Sequence, residues 1–348
     1  MDISSYFKQA IEQNASDLHL AAGSIPALRI SGELIKLNHG VVENEDLKQA
    51  IISLISQRTM EKFEHKRELD FSQEFFGCRF RVNLHYQEGK IGLTARLVPK
   101  IVPEPAELGF DEVIYKLTHL KDGLILVTGP SGSGKSTTLA CMINIINKER
   151  RANIVTIEDP IEYLFQEDQS IIEQRELGHD TMSFASALKY ALRQDPNIIM
   201  LGEMRDQETI ASALTAAETG HLVISTLHTS SAAETISRIV DVFPSRQQQQ
   251  QTLNQLALTL RAVIAQQLLP KLGGGRVVAR EIMINNSAVA NLIRHNQIGQ
   301  LYSVIQTGQK DGMITMNKAI GKLLKDGLIS QDVARNSQRD LETQASYY

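Results

Sequence analysis

The spacing of apolar residues changes about a hundred residues into the chain. An amphipathic helix is predicted near Ile3 to Gln13, and SDLHLAAGSIPALRISGELIKL alternates apolar and polar positions between glycines, as strands and turns do. In CRFRVNLHYQ the alternation is regular, so Phe80, Val82 and Leu84 are expected to face a core. Arg81 then lies on the opposite face. The pattern predicts a small α/β unit.

Beyond this unit, four short apolar runs alternate with helical stretches. The runs are LILVT, NIVTI, NIIML and HLVIST, and the pattern is typical of a parallel sheet covered by helices on both faces. After about Ala232 helical spacing is expected to dominate, with a helix over TLNQLALTLRAVIAQQLL and another over AVANLIRH. The final QRDLETQASYY is expected to be frayed.

The segment PKIVPEPAELG separates the two patterns. Its prolines, Pro99, Pro103 and Pro105, fix the backbone and remove hydrogen-bond donors, as in a stiff linker. We therefore predict a domain over residues 1–98, a linker over 99–109 and a second domain over 110–348. The length of 348 residues fits two domains of ordinary size.

Composition narrows the class of protein. With 42% hydrophobic and 22% charged residues, the chain is expected to fold around real cores. The 36 basic and 40 acidic residues give a formal charge of −4 and form no basic block, which disfavours nucleic acid as a partner. The first twenty residues do not resemble a signal peptide, and no run of about 18 apolar residues occurs, so a cytosolic protein is expected.

GPSGSGKSTT matches the phosphate-binding pattern GxxxxGK[ST] over Gly129 to Ser136, between a predicted strand and a predicted helix. Gly132 and Gly134 let backbone N–H groups face phosphates, and the start of the helix adds its positive dipole end. Lys135 is expected to reach the β and γ phosphates and Ser136 to place its hydroxyl on Mg²⁺. The alternative is a chance glycine-rich turn.

NIIMLGEMRD reads as a buried strand that ends in a carboxylate, Glu203. Open α/β sheets bind ligands at this edge, so Glu203 is expected beside the metal or its water shell. A merely solvated strand-end glutamate is the alternative interpretation. Together with the phosphate-binding loop upstream, the residue favours a hydrolysing ATPase.

TIEDPIEY also follows a buried strand and brings Glu158, Asp159 and Glu162 to the same edge. Carboxylates near a triphosphate suit work on water or Mg²⁺, and Glu162 is predicted to polarise the attacking water. For Asp159, which precedes Pro160, a structural role in a turn is an equal alternative.

His221 and His228 bracket the run LVISTL. A single histidine there is more often structural, but two beside the nucleotide edge suggest a sensor of the γ-phosphate. Further histidines or cysteines at metal spacing are lacking, since Cys78 and Cys141 lie far apart in apolar surroundings and are expected to be inert.

These four stretches, GPSGSGKSTT, TIEDPIEY, DPNIIMLGEMRD and TGHLVISTLHT, stand in the order and spacing of the secretion ATPase superfamily, and the chain resembles its PilT type, the motors that retract type IV pili. ASDLHL, IIEQRELGHDTMSF and NLIR extend the resemblance over nearly the whole chain. It implies a PAS-like α/β domain linked to a RecA-like P-loop ATPase domain with a helical C-terminal part.

The resemblance also implies site residues. Glu162 is the catalytic glutamate, Glu203 the second-motif glutamate, and Arg81 and Arg96 match arginines of the PAS-like domain that complete the nucleotide site. The resemblance also places His228 among the catalytic residues. For Arg81, an ordinary surface arginine is the alternative interpretation. The ATP-binding set comprises Gly129, Ser131, Gly132, Ser133, Gly134, Lys135, Ser136, Thr137, Glu158 and His221.

The resemblance predicts an ATP- and Mg²⁺-dependent homo-hexameric motor that powers pilus retraction at the cytoplasmic face of the inner membrane. Its partners would be a membrane-embedded platform protein and related motor ATPases, with membrane association through partners only. The chain lacks the long N-terminal domain and four-cysteine motif of assembly relatives, which favours retraction. However, AVANLIRH replaces the family element AIRNLIRE, with Ala290 and His295 in place of an Arg and a Glu.

This departure leaves an accessory PilU-like motor open as an alternative. Two further alternatives come from other classes: a non-hydrolysing ATP-binding regulator and a nucleic-acid translocase. The first is disfavoured because Lys135, Glu162 and Glu203 are all present. The second is disfavoured because basic stretches and Trp are both lacking.

Overall fold

The computed structural model describes residues 1–30, 32–99 and 101–338. The chain divides into two compact units. The first comprises Met1–Ile101 and the short segment Glu162–Leu164, and the second comprises Val102–Ile161 and the chain from Phe165 onward. The change of unit falls within the predicted linker 99–109, of which Lys100 is outside the described residues.

The described residues of the first unit form a six-stranded antiparallel sheet and three helices. Its elements are α1 (Ile3–Glu12), β1 (Asp17–Ala21), β2 (Ala27–Ile30), β3 (Glu33–Lys36), α2 (Asn44–Ile52), α3 (Gln57–Lys66), β4 (Glu68–Phe75), β5 (Cys78–Gln87) and β6 (Lys90–Leu97). The strand order is β3-β2-β1-β6-β5-β4. The predicted α/β character and the opening helix are therefore confirmed.

The alternation predicted for β5 is also confirmed. Phe80, Val82 and Leu84 are buried and belong to the core between the sheet and the helices. Phe80 packs edge-on against Phe7 of α1, with ring centroids 4.9 Å apart. Arg81 is only half-buried, because period-two alternation turns it to the other face. One face of this sheet is therefore apolar and packed, and the other is polar.

The second unit is built on a seven-stranded sheet. Its elements are α4 (Glu112–Thr118), β7 (Gly123–Thr128), α5 (Lys135–Glu149), β8 (Asn153–Glu158), β9 (Ile171–Glu176), α6 (Phe184–Ala191), β10 (Ile198–Leu201), α7 (Gln207–Glu218), β11 (Leu222–Leu227), α8 (Ala232–Asp241), α9 (Arg246–Thr259), β12 (Leu260–Pro270), β13 (Arg276–Ile284), α10 (Ser287–Arg294), α11 (Leu301–Thr307), α12 (Met316–Lys325) and α13 (Gln331–Ser337). Two 3₁₀ turns, Ile298–Gln300 and Gly308–Asp311, flank α11.

The sheet order is β13-β12-β7-β11-β10-β8-β9, and all neighbours are parallel except β12 and β13. Alternate residues of β7 enter different cores: Leu124 and Leu126 belong to one cluster, and Ile125 and Val127 to the other. Both faces of the strand are thus covered, which explains why its sequence is a continuous apolar run. The predicted parallel sheet between helical layers is confirmed.

The prediction of one helix over TLNQLALTLRAVIAQQLL is wrong. Helix α9 ends at Thr259, and strand β12 starts at Leu260 and runs between β7 and β13. Residues 262–265 of β12 are fully buried. Because neither face of the strand meets water, its sequence lacks the alternation that marks a half-exposed strand, and its apolar spacing resembles that of the preceding helix. The strands therefore continue after Ala232, through β12 and β13.

The helix predicted over AVANLIRH is confirmed as α10. Residues 339–348, most of the tail expected to be frayed, lie outside the described residues. None of the helices in the described part of the chain is long and apolar enough to cross a membrane.

Candidate nucleotide-binding site

The predicted phosphate-binding loop lies at the carboxyl end of the parallel sheet. It begins directly after β7 and leads into α5. Gly134 has a φ of 86° and caps the amino end of α5, a left-handed conformation that glycine adopts without steric cost. Backbone N–H groups of the first turn of α5 have no partner within the helix, so this end favours an anion. The predicted strand–loop–helix context is therefore present.

Gly129 is held against the neighbouring strand. A Cβ atom there would lie 2.4 Å from the carbonyl oxygen of Gln266, and the φ of Gly129 is 146°. Any side chain would have to push β7 and β12 apart, because the atom it meets belongs to the backbone. The first glycine of the motif is thus required by packing as well as by backbone conformation.

Gln266 of β12 forms hydrogen bonds to the phosphate-binding loop and to the start of α5. Its Nε2 donates to the carbonyl oxygen of Ser133 at 2.8 Å, and its Oε1 accepts from Thr138 Oγ1 at 3.0 Å. Gln266 is only 1% exposed, so neither bond competes with solvent. One amide group therefore joins the loop to the first turn of α5.

Lys135 is buried, and its ammonium turns back on its own loop. Nζ donates to the carbonyl oxygens of Gly129 at 2.8 Å and Pro130 at 3.1 Å, and lies 3.5 Å from His228 Nδ1. Burial lowers the pKa of Lys135, and the negative charge of Glu203 opposes this. A phosphate group would offer the ammonium stronger, charged acceptors than these carbonyls.

The polar groups of the loop fit a phosphorylated ligand. Ser133 Oγ is buried and, among the described residues, has no hydrogen-bond partner. Ser131, Gly132 and Ser136 are exposed and Thr137 is half-buried, so the outer surface of the loop is open to a ligand. An unsatisfied buried hydroxyl, exposed backbone N–H groups and a lysine suit the oxygens of a nucleotide phosphate.

Glu203 follows β10 at the same edge, as predicted. Its carboxylate accepts from Arg205 Nε at 2.6 Å and lies 3.5 Å from His228 Nε2. The side chain is 13% exposed, whereas that of Arg205 is 74% exposed. Burial and the charge of Lys135 lower the pKa of His228, and Glu203 opposes both. The carboxylate of Glu203 and the hydroxyl of Ser136 are the kinds of oxygen ligand that Mg²⁺ accepts.

Glu203, Arg205 and His228 also line a cavity of about 430 Å³, which Glu234 and Arg238 of α8 border on the other side. The cavity brings together side chains from the ends of β10 and β11 and from α8. The sequence patterns indicated Glu203 and His228 but not the other three. Their positions depend on how α8 packs, which motif spacing does not show.

The candidate arginines of the first unit lie on neighbouring strands. Arg81 of β5 and Arg96 of β6 are direct cross-strand partners. Arg96 Nε donates to Asp17 Oδ1 at 2.8 Å, and Arg81 Nη1 donates to Glu162 Oε1 at 3.5 Å. Glu162 belongs to the short segment that groups with this unit, and half of its side chain is exposed. Glu162 is thus accessible and lies beside Arg81, another predicted site residue.

The family model for type II/IV secretion system proteins matches residues 106–328. The chain belongs to this family. It is 46% identical to the type IV pilus retractation ATPase PilT of Pseudomonas aeruginosa, over 97% of the chain and 98% of that protein. It is 35% identical to the type IV pilus ATPase PilU of the same organism, over 96% of the chain and 88% of that protein.

Solved structures of the secretion ATPase family agree with this assignment. A crystal structure of the pilus retraction motor PilT with bound ADP shares 48% identity and superposes with a TM-score of 0.91, covering 99% of this chain and 98% of that one. The Legionella pneumophila ATPase DotB shares 28% identity with a TM-score of 0.84, over 96% and 95% of the two chains. The resemblance inferred from the sequence and the fold class are confirmed.

Within this secretion ATPase fold, Glu158 lies at the end of β8 and is buried. It accepts from Thr156 Oγ1 at 2.7 Å and from Gln174 Nε2 at 3.2 Å. Of the three carboxylates of TIEDPIEY, Glu158 is thus enclosed, whereas Asp159 and Glu162 are exposed. The nucleotide-binding role of Glu158 stays a prediction.

His221 lies at the end of the sheet opposite the phosphate-binding loop of the same chain. It precedes β11, and its carbonyl oxygen accepts from the N–H of Gly123 at the start of β7. Since β7 and β11 are parallel, this end is opposite the loop, about 20 Å away along the strand. His221 Nδ1 lies 3.0 Å from the carbonyl oxygen of Ala216. His221 and His228 therefore bracket β11, as predicted, from opposite ends, and the nucleotide-binding role of His221 stays a prediction.

Proposed function

We propose that the chain is an ATPase motor that uses Mg²⁺ and powers retraction of type IV pili. The observation that carries the proposal is the match to a retraction ATPase over almost the full length of both chains. The loop at Gly129 to Ser136, with Lys135 and Glu203 at the same sheet edge, supplies the local chemistry for nucleotide binding.

In this proposal Lys135 leaves the carbonyl oxygens of Gly129 and Pro130 and binds the terminal phosphates. Glu203 and Ser136 hold Mg²⁺, which when bound offsets phosphate charge. Glu162 is the general base that orients the attacking water, and half its side chain is accessible. His228, which touches both Lys135 and Glu203, reports loss of the γ-phosphate to β11 and α8.

The proposed working form is a homo-hexamer. Arg81 and Arg96 of one subunit would complete the nucleotide site of its neighbour, and His221 would act from a subunit other than the one whose loop holds the nucleotide. A platform protein in the inner membrane would be the mechanical partner, reached from the cytoplasmic side without direct membrane insertion. Related pilus ATPases would share this platform.

Retraction in cells that lack their own retraction motor tests the proposal. The chain and its Glu162→Ala variant are expressed in parallel, and pilus shortening is followed by microscopy. We expect shortening with the intact chain only, with ATPase activity in vitro lost in the variant. If the purified chain hydrolyses ATP but its expression gives no pilus shortening, the proposed role in retraction is contradicted and the ATPase activity is not.

An accessory PilU-like motor is the second candidate function. The observation that favours it is the altered charge of α10, where Ala290 packs against the core and His295 caps the helix end. Complementation of cells that lack only PilU separates the two candidates. Rescue of those cells without rescue of cells lacking PilT would favour the accessory role.

A further inference from the structure

Four charged residues form a row across the polar face of the first sheet. Arg29 of β2 is the cross-strand partner of Asp17 of β1, Asp17 is the partner of Arg96 of β6, and Arg96 is the partner of Arg81 of β5. Cross-strand partners project from the same face, so these side chains are neighbours in the order arginine, aspartate, arginine, arginine. We call this set the charged row.

Asp17 is the buried member of the charged row. It is 5% exposed, and its carboxylate accepts from Arg96 Nε at 2.8 Å and from Ser16 Oγ at 2.8 Å. Arg29 Nε is more distant, at 4.0 Å. A buried carboxylate with two short hydrogen bonds has a fixed position, and it therefore fixes the Nε end of Arg96.

Arg96 is exposed beyond this anchor. Its side chain is 66% exposed although its Nε is tied to a buried group. In the described part of the chain, the guanidinium is held through Nε alone, which leaves both Nη groups for an anion. A guanidinium that is hydrogen-bonded through Nε and has both Nη groups available is preorganised for bidentate contact with a phosphate.

The placement of Arg81 beside Arg96 supports a role in anion binding. Like charges directly opposite each other on adjacent strands destabilise a sheet. Asp17 lies on the far side of Arg96 from Arg81, so its charge compensates Arg96 without separating the two arginines. An anion between Arg81 and Arg96 would be stabilised by both guanidinium groups, with Arg81 Nη1 also lying 3.5 Å from Glu162 Oε1.

We propose that Asp17 is a positioning residue for Arg96, which it holds by Nε so that the two Nη groups face the nucleotide phosphate of a neighbouring subunit. This inference rests on the proposed function. It predicts that removal of the Asp17 carboxylate lowers turnover through Arg96 alone.

The test is a double-mutant cycle in ATPase assays of the full chain. Asp17→Asn keeps the shape of the side chain and removes its charge, and Arg96→Ala removes the positioned group. We expect kcat to fall about tenfold for Asp17→Asn and about a hundredfold for Arg96→Ala. The double variant should match Arg96→Ala, with binding of fluorescent ADP unchanged throughout. Arg29→Gln is the matched control, because it removes the other arginine near Asp17 and should leave kcat unchanged.

The outcomes distinguish the proposed role of Arg96 from the proposed positioning role of Asp17. No effect of Arg96→Ala would overturn the proposed role of Arg96, and with it the premise. A defect in Arg96→Ala with normal kcat in Asp17→Asn would overturn the positioning role only. The positioning role would also be overturned if Asp17→Asn lowered kcat by the same factor in the unaltered chain and in Arg96→Ala. A structural defect acts in this way, because it does not depend on the presence of Arg96. If Asp17→Asn fails to fold, Asp17→Ser, which also removes the carboxylate, replaces it, and unchanged kcat in that variant counts against the proposal.

Discussion

The side-chain amide of Gln266 donates a hydrogen bond to the carbonyl oxygen of Ser133 across 133 positions of sequence, and so joins strand β12 to the phosphate-binding loop. The same amide accepts from Thr138 at the start of α5. The loop and the helix are thus positioned by a residue outside the motif, whose side chain also lies close to Gly134. This arrangement makes Gln266 a positioning residue whose loss affects nucleotide binding.

Gln266→Leu should weaken ADP binding. The variant leaves the Ser133 carbonyl and the Thr138 hydroxyl buried without their partner, and one such loss costs about 1–3 kcal/mol. If about half of the free energy of one such loss reaches the loop, affinity for ADP falls roughly two- to tenfold. Titration with fluorescent ADP measures the change. Thr138→Val is the matched control, because it removes only the bond to α5 and should retain most of the affinity. Equal affinity in Gln266→Leu and the unaltered chain would contradict the prediction.

Glu203→Gln should abolish turnover, while Arg205→Gln should have little effect. Glu203 is the nearly buried carboxylate at the sheet edge, and loss of a charge aimed at the reaction costs about 10²–10³ in kcat. Arg205 is largely exposed, and an exposed partner contributes about 0–1 kcal/mol. Steady-state ATPase assays at saturating ATP and Mg²⁺ compare the two variants. A similar loss of kcat in both would mean that the ion pair itself, rather than Glu203, is needed.

Lys135→Ala and Glu162→Ala should separate binding from chemistry. Lys135 is expected to contact the phosphates directly, so its loss should weaken nucleotide binding. Glu162 is expected to act on water, so its loss should leave binding intact and lower kcat by about 10²–10⁴. Nucleotide titration and single-turnover hydrolysis measure the two properties separately. Equal hydrolysis by Glu162→Ala and the unaltered chain would disprove the assignment of the catalytic base.

The sequence predicted the fold where apolar runs were short and bounded by turns. Strands β7, β8, β10 and β11 are such runs, and each is preceded and followed by polar or glycine-containing segments. Strand β12 follows directly after α9, so no turn residue marks the change. The exchange of helix for strand there depends on pairing with β7 and β13, which is a long-range effect that local spacing does not contain.

The candidate site was likewise predicted from the sequence only where local motifs define it. Contiguous motifs located Lys135 and Glu203, because their roles depend on the end of one strand. Gln266 was missed, although a glutamine pair inside an apolar strand is a detectable signal of a buried polar contact. The position of His221 follows from strand order alone, because a residue before a parallel strand lies at the opposite edge from a loop that follows the neighbouring strand.

Asp17→Asn should reduce stability near neutral pH and have a smaller effect in acid. Burial raises the pKa of Asp17, but hydrogen bonds from Ser16 and Arg96 and the charge of Arg96 outweigh it, so the pKa is lowered in the folded state. A carboxyl with a lowered pKa stabilises the fold above its unfolded pKa, about 3.9. This contribution is lost as the pH falls through the folded value. Urea unfolding at pH 7 and pH 3 should therefore show the two proteins converging in acid. A difference between them that is constant with pH would mean that the ionised carboxylate of Asp17 does not contribute to stability.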